Sequence, residues 1–440
     1  MSSKNSQSAS LDWKGLGDLV DLATERLTEP VEGIHQAIAD RWFGLAGQRP
    51  GPALEVYRAV TRSIYKTVRV AGSTLGTAIG MSAIAVASRR ELPQLWHTPK
   101  GSGLQAALNA LWGDELERRN SPMSIEIALR DVEGHSIDLD PDNLDRAFPE
   151  ASPHLVVMLH GLGETERCWR ERNDDGPMSG MAETLTSAGF SPILVRYNTG
   201  RHVSDNGVDL AALLDEVIQV WPVPVESIAL VGHSMGGLVA RSAVHVGQTA
   251  AQDWAKVVRQ LVALGSPHLG SPIEKGANVV SWGLGLVPES RPLGEFINHR
   301  SAGIKDLRYG AVTEEDWLGA DPDELLDDAV MDARPPEGVA QYFIAGAITN
   351  EPTHPIGALV GDLIVRVGSG TGRGRRRRVD ADDVRVLGGK RHPDLLHDAG
   401  VKEQVRAWLT LETSPNAMGT SQPSVARLES GGVIPTLDTL

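Results

Sequence analysis

Along the first quarter of the chain, apolar positions recur at helical spacing. Val56, Val60, Ile64 and Val68 repeat every fourth residue, with Arg58, Arg62, Lys66 and Arg69 on other faces. Val31, Ile34 and Ile38 make a shorter stripe of the same kind, and Leu104, Leu108, Leu111 and Trp112 another. The pattern predicts an α-helical accessory region over 11–118, behind a disordered N-terminus at 1–10. Between Arg69 and Arg89 the sequence carries no charge. Gly72, Gly76 and Gly80 stand four residues apart there, and Ala83 and Ala87 continue nearly the same face. So smooth a face admits a second helix at close range, either inside a soluble bundle or at a membrane. The segment only just reaches spanning length, and Ser, Thr and Gly dilute its apolarity.

From Met123 the pattern changes to short apolar runs alternating with helical stretches. Ser124–Leu129 and Ser136–Leu139 look like an opening antiparallel pair. Leu155–Leu159, Pro192–Tyr197, Ile228–Val231, Val258–Leu264, Tyr342–Ala347 and Val384–Leu387 are the later strands. Helical stretches fall near 178–188, 207–220, 235–247 and 400–411. Such alternation predicts an α/β fold over 119–412, a mainly parallel sheet with helices on both faces. The stretch 272–338 breaks the alternation. It is apolar at its start (Val279, Val280, Trp282, Leu284, Leu286, Val287) and acidic at its end (Asp321, Asp323, Glu324, Asp327, Asp328), and reads as a cap-like insertion. The last stretch, 413–440, is rich in Ser, Thr, Pro and Gly and reads as a flexible tail.

Composition narrows the function classes. A formal charge of −15 over 440 residues, with no dominant basic face, argues against general nucleic-acid binding. Cys168 is the one cysteine, so no intrachain disulfide can form, which suits a reducing compartment. The start MSSKNSQSAS lacks the basic and apolar regions of a secretory signal. A cytoplasmic location is expected. Contact with a lipid surface through the N-terminal helices stays open as an alternative.

The most informative run is Gly232-His233-Ser234-Met235-Gly236-Gly237. It follows the apolar strand Ile228–Val231 and leads at once into a helical pattern. Strand, G-x-S-x-G and helix together form the nucleophile elbow, a strained turn that lifts a serine hydroxyl to the top of a parallel sheet. Ser234 is the expected nucleophile, and it needs a base to take its proton. His160-Gly161-Leu162-Gly163 closes an earlier strand, so the oxyanion donors are expected at the Leu162 and Met235 amides. His392, after the last strand, is the expected base, with His397 as competitor. Asp362 in GDLIV fits the order Ser–Asp–His as the orienting acid, with Asp380, Asp382 and Asp383 as alternatives. His233, His268 (in the GSPHLGSP loop) and Trp282 are candidates for the substrate pocket, and the loop Tyr197–His202 leaves the sheet at the same edge. Arg373 and Arg375–Arg378 form a basic run that suits either anionic lipid or a solvated loop balanced by nearby acids. No metal-ligand spacing, dinucleotide fingerprint or phosphate loop is present, so neither metal nor cofactor is expected.

With these residues placed, the body from about Met123 to Leu411 resembles the α/β-hydrolase superfamily. Within it, the chain is similar to the lipase-like branch that includes bacterial triacylglycerol lipases and GPI inositol-deacylase-like proteins. HGLGE at 160–164, GHSMGG at 232–237, GSPHLGSP at 265–272, GDLIV at 361–365 and the closing GGKRHPDLLHDAGVKEQVRAWL carry the resemblance. It implies Ser234 as nucleophile, Asp362 as acid, His392 rather than His397 as base, and Leu162 and Met235 as oxyanion donors. The front third lies outside it. The expected activity is hydrolysis of an apolar, lipid-like ester through an acyl-enzyme. Acyl transfer by the same residues and a non-catalytic lipid-binding scaffold are the rival readings.

Overall fold

The computed structural model describes residues 2–45, 52–87, 96, 98–170, 180–285, 287–288, 290–318, 330, 336–352, 354–374 and 377–412. Three helices come first: α1 (Ser2–Leu45), α2 (Pro52–Ala87) and α3 (Pro99–Arg118). The body then runs β1 (Ala128–Arg130), α4 (Pro141–Ala147), β2 (His154–Leu159), α5 (Met181–Ser187), β3 (Ser191–Arg196), α6 (Val203–Val220), β4 (Ser227–His233), α7 (Met235–Thr249), α8 (Asp253–Lys256) and β5 (Val258–Leu264). The insertion carries α9 (Pro272–Gly285), α10 (Arg291–Asn298) and α11 (Ala302–Asp306). The chain continues through β6 (Ala340–Ala347), α12 (Pro355–Val360), α13 (Val367–Gly370), β7 (Asp383–Gly388), α14 (Asp394–His397) and α15 (Ala399–Glu412).

The seven strands form one sheet in the order β1-β3-β2-β4-β5-β6-β7, and only the β1–β3 pair is antiparallel. Parallel strands covered on both faces must be apolar on both, and β2 obeys this. Leu155, Val157 and Leu159 enter the core beneath α6 and α7, while Val156 and Met158 enter the core beneath α5 and α15.

The front helices pack intramolecularly. α1 and α2 run antiparallel: Tyr65 meets His35, Arg69 pairs with Glu32 and Arg58 with Asp40. A Cβ on Gly72 would overlap Thr24, and one on Gly76 would overlap the Gly17 carbonyl. The smooth face is therefore used to bring α2 close to α1. Arg58 and Arg69 are engaged by acids of the same hairpin. No helix of the described residues is long and apolar enough to cross a membrane.

Two expectations change. The α1 helix begins at Ser2, inside the stretch read as disordered. The opening strand pair shrinks to Ala128–Arg130, with Ser136 joined to Arg130 by a single bridge. The side chain of Asn109 on α3 takes the place of a strand neighbour, donating to the Met123 carbonyl (2.8 Å) and accepting from the Ile125 N–H (3.0 Å). The acidic end of the insertion and the tail at 413–440 lie outside the described residues.

Candidate active site

β4 ends at His233 and α7 begins at Met235, which leaves Ser234 alone on the turn. Its φ of 53° and ψ of −120° fall where a side chain is strained, and the surroundings must hold it there. They do so through backbone. Ser234 N–H donates to the Leu264 carbonyl at 2.8 Å, and Gly237 N–H to the Ser234 carbonyl at 3.2 Å. A Cβ on Gly232 would overlap Gly236, and one on Gly236 would overlap the Leu159 carbonyl, so strand, turn and helix approach closely only because both are glycine.

His392 and Asp362 arrive on loops from the same sheet edge. His392 Nδ1 lies 2.7 Å from Asp362 Oδ2, and both residues are buried (4 % and 1 % exposed). The other Asp362 oxygen accepts from the Ile364 and Val365 N–H groups at 3.0 and 2.8 Å, which fixes the carboxylate plane. Donation from Nδ1 leaves Nε2 as the lone-pair nitrogen, and among the described residues this buried atom has no hydrogen-bond partner. The His392 ring packs on Gly265, the residue after the Leu264 that holds Ser234. The competing acids are engaged elsewhere: Asp380 with Arg378, Asp382 with the Gln341 N–H, and Asp383 with Arg385 and Trp408. His397 lies at the end of α14.

The expected oxyanion loop folds against Ser234. A Cβ on Gly161 would sit 3.0 Å from the Ser234 Cβ. Met235 N–H opens α7, where helix amides are free and the helix dipole is positive. Gly163 N–H donates to Thr199 Oγ1 at 3.2 Å, which ties this loop to the 197–202 loop. That loop is braced in turn by α3, where Asn198 Nδ2 donates to the Gly113 carbonyl at 3.0 Å. The insertion meets the same corner. Ser301 Oγ donates to the Ala110 carbonyl at 2.6 Å, and Ala302 N–H to Asp114 Oδ2 at 3.1 Å.

Two pocket candidates are placed differently from expectation. His268 is fully buried, with its ring stacked on Phe343 at 4.0 Å, and burial pushes its pKa well down. His233 is also fully buried, between Glu164 and the His392 carbonyl. Neither presents a surface to a substrate. Trp282 stands half exposed on α9. Of the basic run, Arg377 donates to the Tyr309 carbonyl and Arg378 pairs with Asp380. The sequence did not reveal the supporting roles of Glu164 and Thr199, which lie in motifs it singled out, or of Asn109. Glu164 stood inside the quoted HGLGE motif, but nothing in its spacing revealed its partner 69 positions on. Among the described residues, Asp131, Glu133 and His135 bring three potential metal-ligand atoms together on a surface turn. Asp131 Oδ1 already accepts from the Glu133 and His135 N–H groups there.

Residues 197–284 match the family described as the PGAP1-like alpha/beta domain. No curated protein sequence matches the chain. Similar solved structures include a Bacillus licheniformis lipase in its propeptide form, at 19 % identity and TM-score 0.40, covering 65 % of this chain. This chain spans about half (53 %) of that lipase. A thioesterase of prodiginine biosynthesis from Streptomyces coelicolor is 19 % identical at TM-score 0.33, covering 60 % of this chain and 92 % of its own. Naproxen esterase from Bacillus subtilis is 15 % identical at TM-score 0.33, covering 59 % and 84 %. The chain thus has an α/β fold with a mainly parallel sheet and a strand–turn–helix at Ser234, and its segment 197–284 is similar to the PGAP1-like alpha/beta domain.

Proposed function

We propose that the chain is a serine hydrolase of apolar carboxylic esters. The observation that carries this reading is the buried Asp362–His392 pair, 2.7 Å apart, at the sheet edge that also presents Ser234 in a strained turn. In this reading His392 Nε2 takes the Ser234 proton as Oγ attacks the ester carbonyl. Asp362 holds the ring so that Nε2 stays the base, and it stabilises the imidazolium that forms. The Leu162 and Met235 amides receive the negative charge on the carbonyl oxygen. His392 then gives its proton to the departing alcohol. Water repeats the sequence on the acyl-enzyme, releasing the acid and restoring Ser234. The apolar start of the insertion, with Trp282 on α9, supports an apolar acyl group as substrate.

The test is active-site labelling by a fluorophosphonate, paired with hydrolysis of a p-nitrophenyl ester series. Wild type should label and turn over, and Ser234→Ala should do neither while staying folded. A folded wild type that does neither overturns the reading.

A further inference from the structure

Behind Ser234 lies a second histidine–carboxylate pair that the mechanism above does not use. His233 Nδ1 is 2.9 Å from Glu164 Oε2, and its Nε2 is 3.3 Å from the His392 carbonyl oxygen. Both ring nitrogens thus face acceptors. A neutral imidazole has one N–H and would turn a lone pair toward one of these oxygens. Only the imidazolium satisfies both. The same Glu164 oxygen also accepts the Gly161 N–H at 2.7 Å, so it stands as a carboxylate with two donors.

These contacts join three segments that must agree within a fraction of an ångström for acyl transfer. His233 belongs to the elbow, Gly161 and Glu164 to the oxyanion loop, and the His392 carbonyl to the base loop. The groups facing His233 are Glu164, the His392 carbonyl, the His392 ring at 4.7 Å and, more distantly, Asp362. Burial alone would lower the His233 pKa, but the Glu164 carboxylate outweighs it and raises it. Burial would likewise raise Glu164, yet His233 and the Gly161 N–H hold it down at about 2.

We propose that Glu164 and His233 form a positioning ion pair, carboxylate with imidazolium, that locks the oxyanion loop and the base loop onto the nucleophile elbow. Its effect on turnover rests on the serine-hydrolase reading, whereas its charge state does not. Nitrogen-15 NMR of the histidine rings in the full chain, with His233 assigned through His233→Gln, reads the charge directly. Both His233 ring nitrogens should stay protonated at a pH where an ordinary imidazole, with its pKa of about 6.5, has lost its proton. A neutral ring at about pH 7 overturns the proposal.

Kinetics read the positioning. Glu164→Gln keeps the shape and removes the charge. It should lower kcat on p-nitrophenyl butyrate about tenfold or more, with KM close to wild type, because the loss falls on the transition state. Labelling of Ser234 should slow in step. Glu164→Asp should recover part of the rate. Glu164→Gln with His233→Gln should be no slower than the slower single variant, since the two residues act as a unit. An unchanged kcat in folded Glu164→Gln overturns the proposal. If wild type neither labels nor turns over, the serine-hydrolase reading is what fails, and the ring protonation alone decides the ion pair.

Discussion

Asp362 and His392 are joined twice. The His392 N–H donates to the Asp362 backbone carbonyl at 3.1 Å, while Nδ1 donates to the Asp362 carboxylate at 2.7 Å. The proposed acid and base thus share main-chain and side-chain contacts, and a shift of either loop carries the other residue with it. His392→Ala should lower kcat/KM by about 10⁴–10⁶-fold, as Ser234→Ala should, because in the proposed mechanism base and nucleophile act together. Asp362→Asn should cost roughly ten- to a hundredfold less. Steady-state hydrolysis of a soluble ester checks both, and a larger loss at His397→Ala than at His392→Ala would reassign the base.

The front helices are expected to be a buttress of the body. A Cβ on Gly113 would overlap Asn198 Oδ1, and one on Gly200 would overlap the Asn109 carbonyl. Gly113→Ala should cost ~1–3 kcal/mol of stability by overpacking, read as a shift of the urea midpoint. A chain starting near Asn120 would lose the helix that braces the 197–202 loop. It should aggregate or lose activity on every ester. A soluble truncation with wild-type rates on a small ester would show that the front serves only as a tether.

His202 links the cap to the body through pH. Its Nδ1 faces both Asp306 oxygens at 3.0 and 3.1 Å, and its ring lies flat on Trp317 at 3.9 Å. Asp205 and Asp114 are the other acids nearby. Burial alone would lower the His202 pKa, but Asp306 outweighs it and raises it above the ordinary value. The raised value means that the folded state binds the proton more tightly than the unfolded chain. The stabilisation is complete below about pH 6.5 and disappears as pH climbs through the folded value. The Tm advantage of wild type over His202→Gln should therefore shrink from about pH 6 to pH 9, and a constant difference would remove His202 as the cause.

Trp282 tests the cap as an acyl-binding element. Trp282→Ser should weaken kcat/KM for long-chain esters by ~1–3 kcal/mol relative to acetyl esters. Equal losses on both would place the acyl chain elsewhere.

Much of this arrangement was legible in the sequence, for physical reasons. β4 and α7 announce themselves because a strand buried on both faces must be a continuous apolar run, and because the turn at Ser234 admits only glycine at 232 and 236. β5 follows the apolar run Val258–Leu264 from end to end. The opening hairpin was not legible, since Asn109 reaches across from α3 to bond the backbone that a strand partner would otherwise take. The role of α3 was hidden for a related reason. Its contacts with the 123–125 segment, the 197–202 loop and the insertion run through Asn109, Ala110 and Gly113, polar or small residues that leave little hydrophobic signature. The Glu164–His233 pair depends on two loops meeting in space, which periodicity does not encode.

The hydrogen bond from Ser301 to the Ala110 carbonyl spans 191 positions of the chain. α3 is synthesised before any strand of the sheet, yet its partners Ser301 and Ala302 emerge only after β5, α9 and α10. Contacts this distant in sequence slow folding, because a long loop must close before they form. During synthesis from the N-terminus, the prop beneath the 197–202 loop is made early and completed late. A nascent chain that stops short of Ser301 leaves that corner open, however well its first strands have paired.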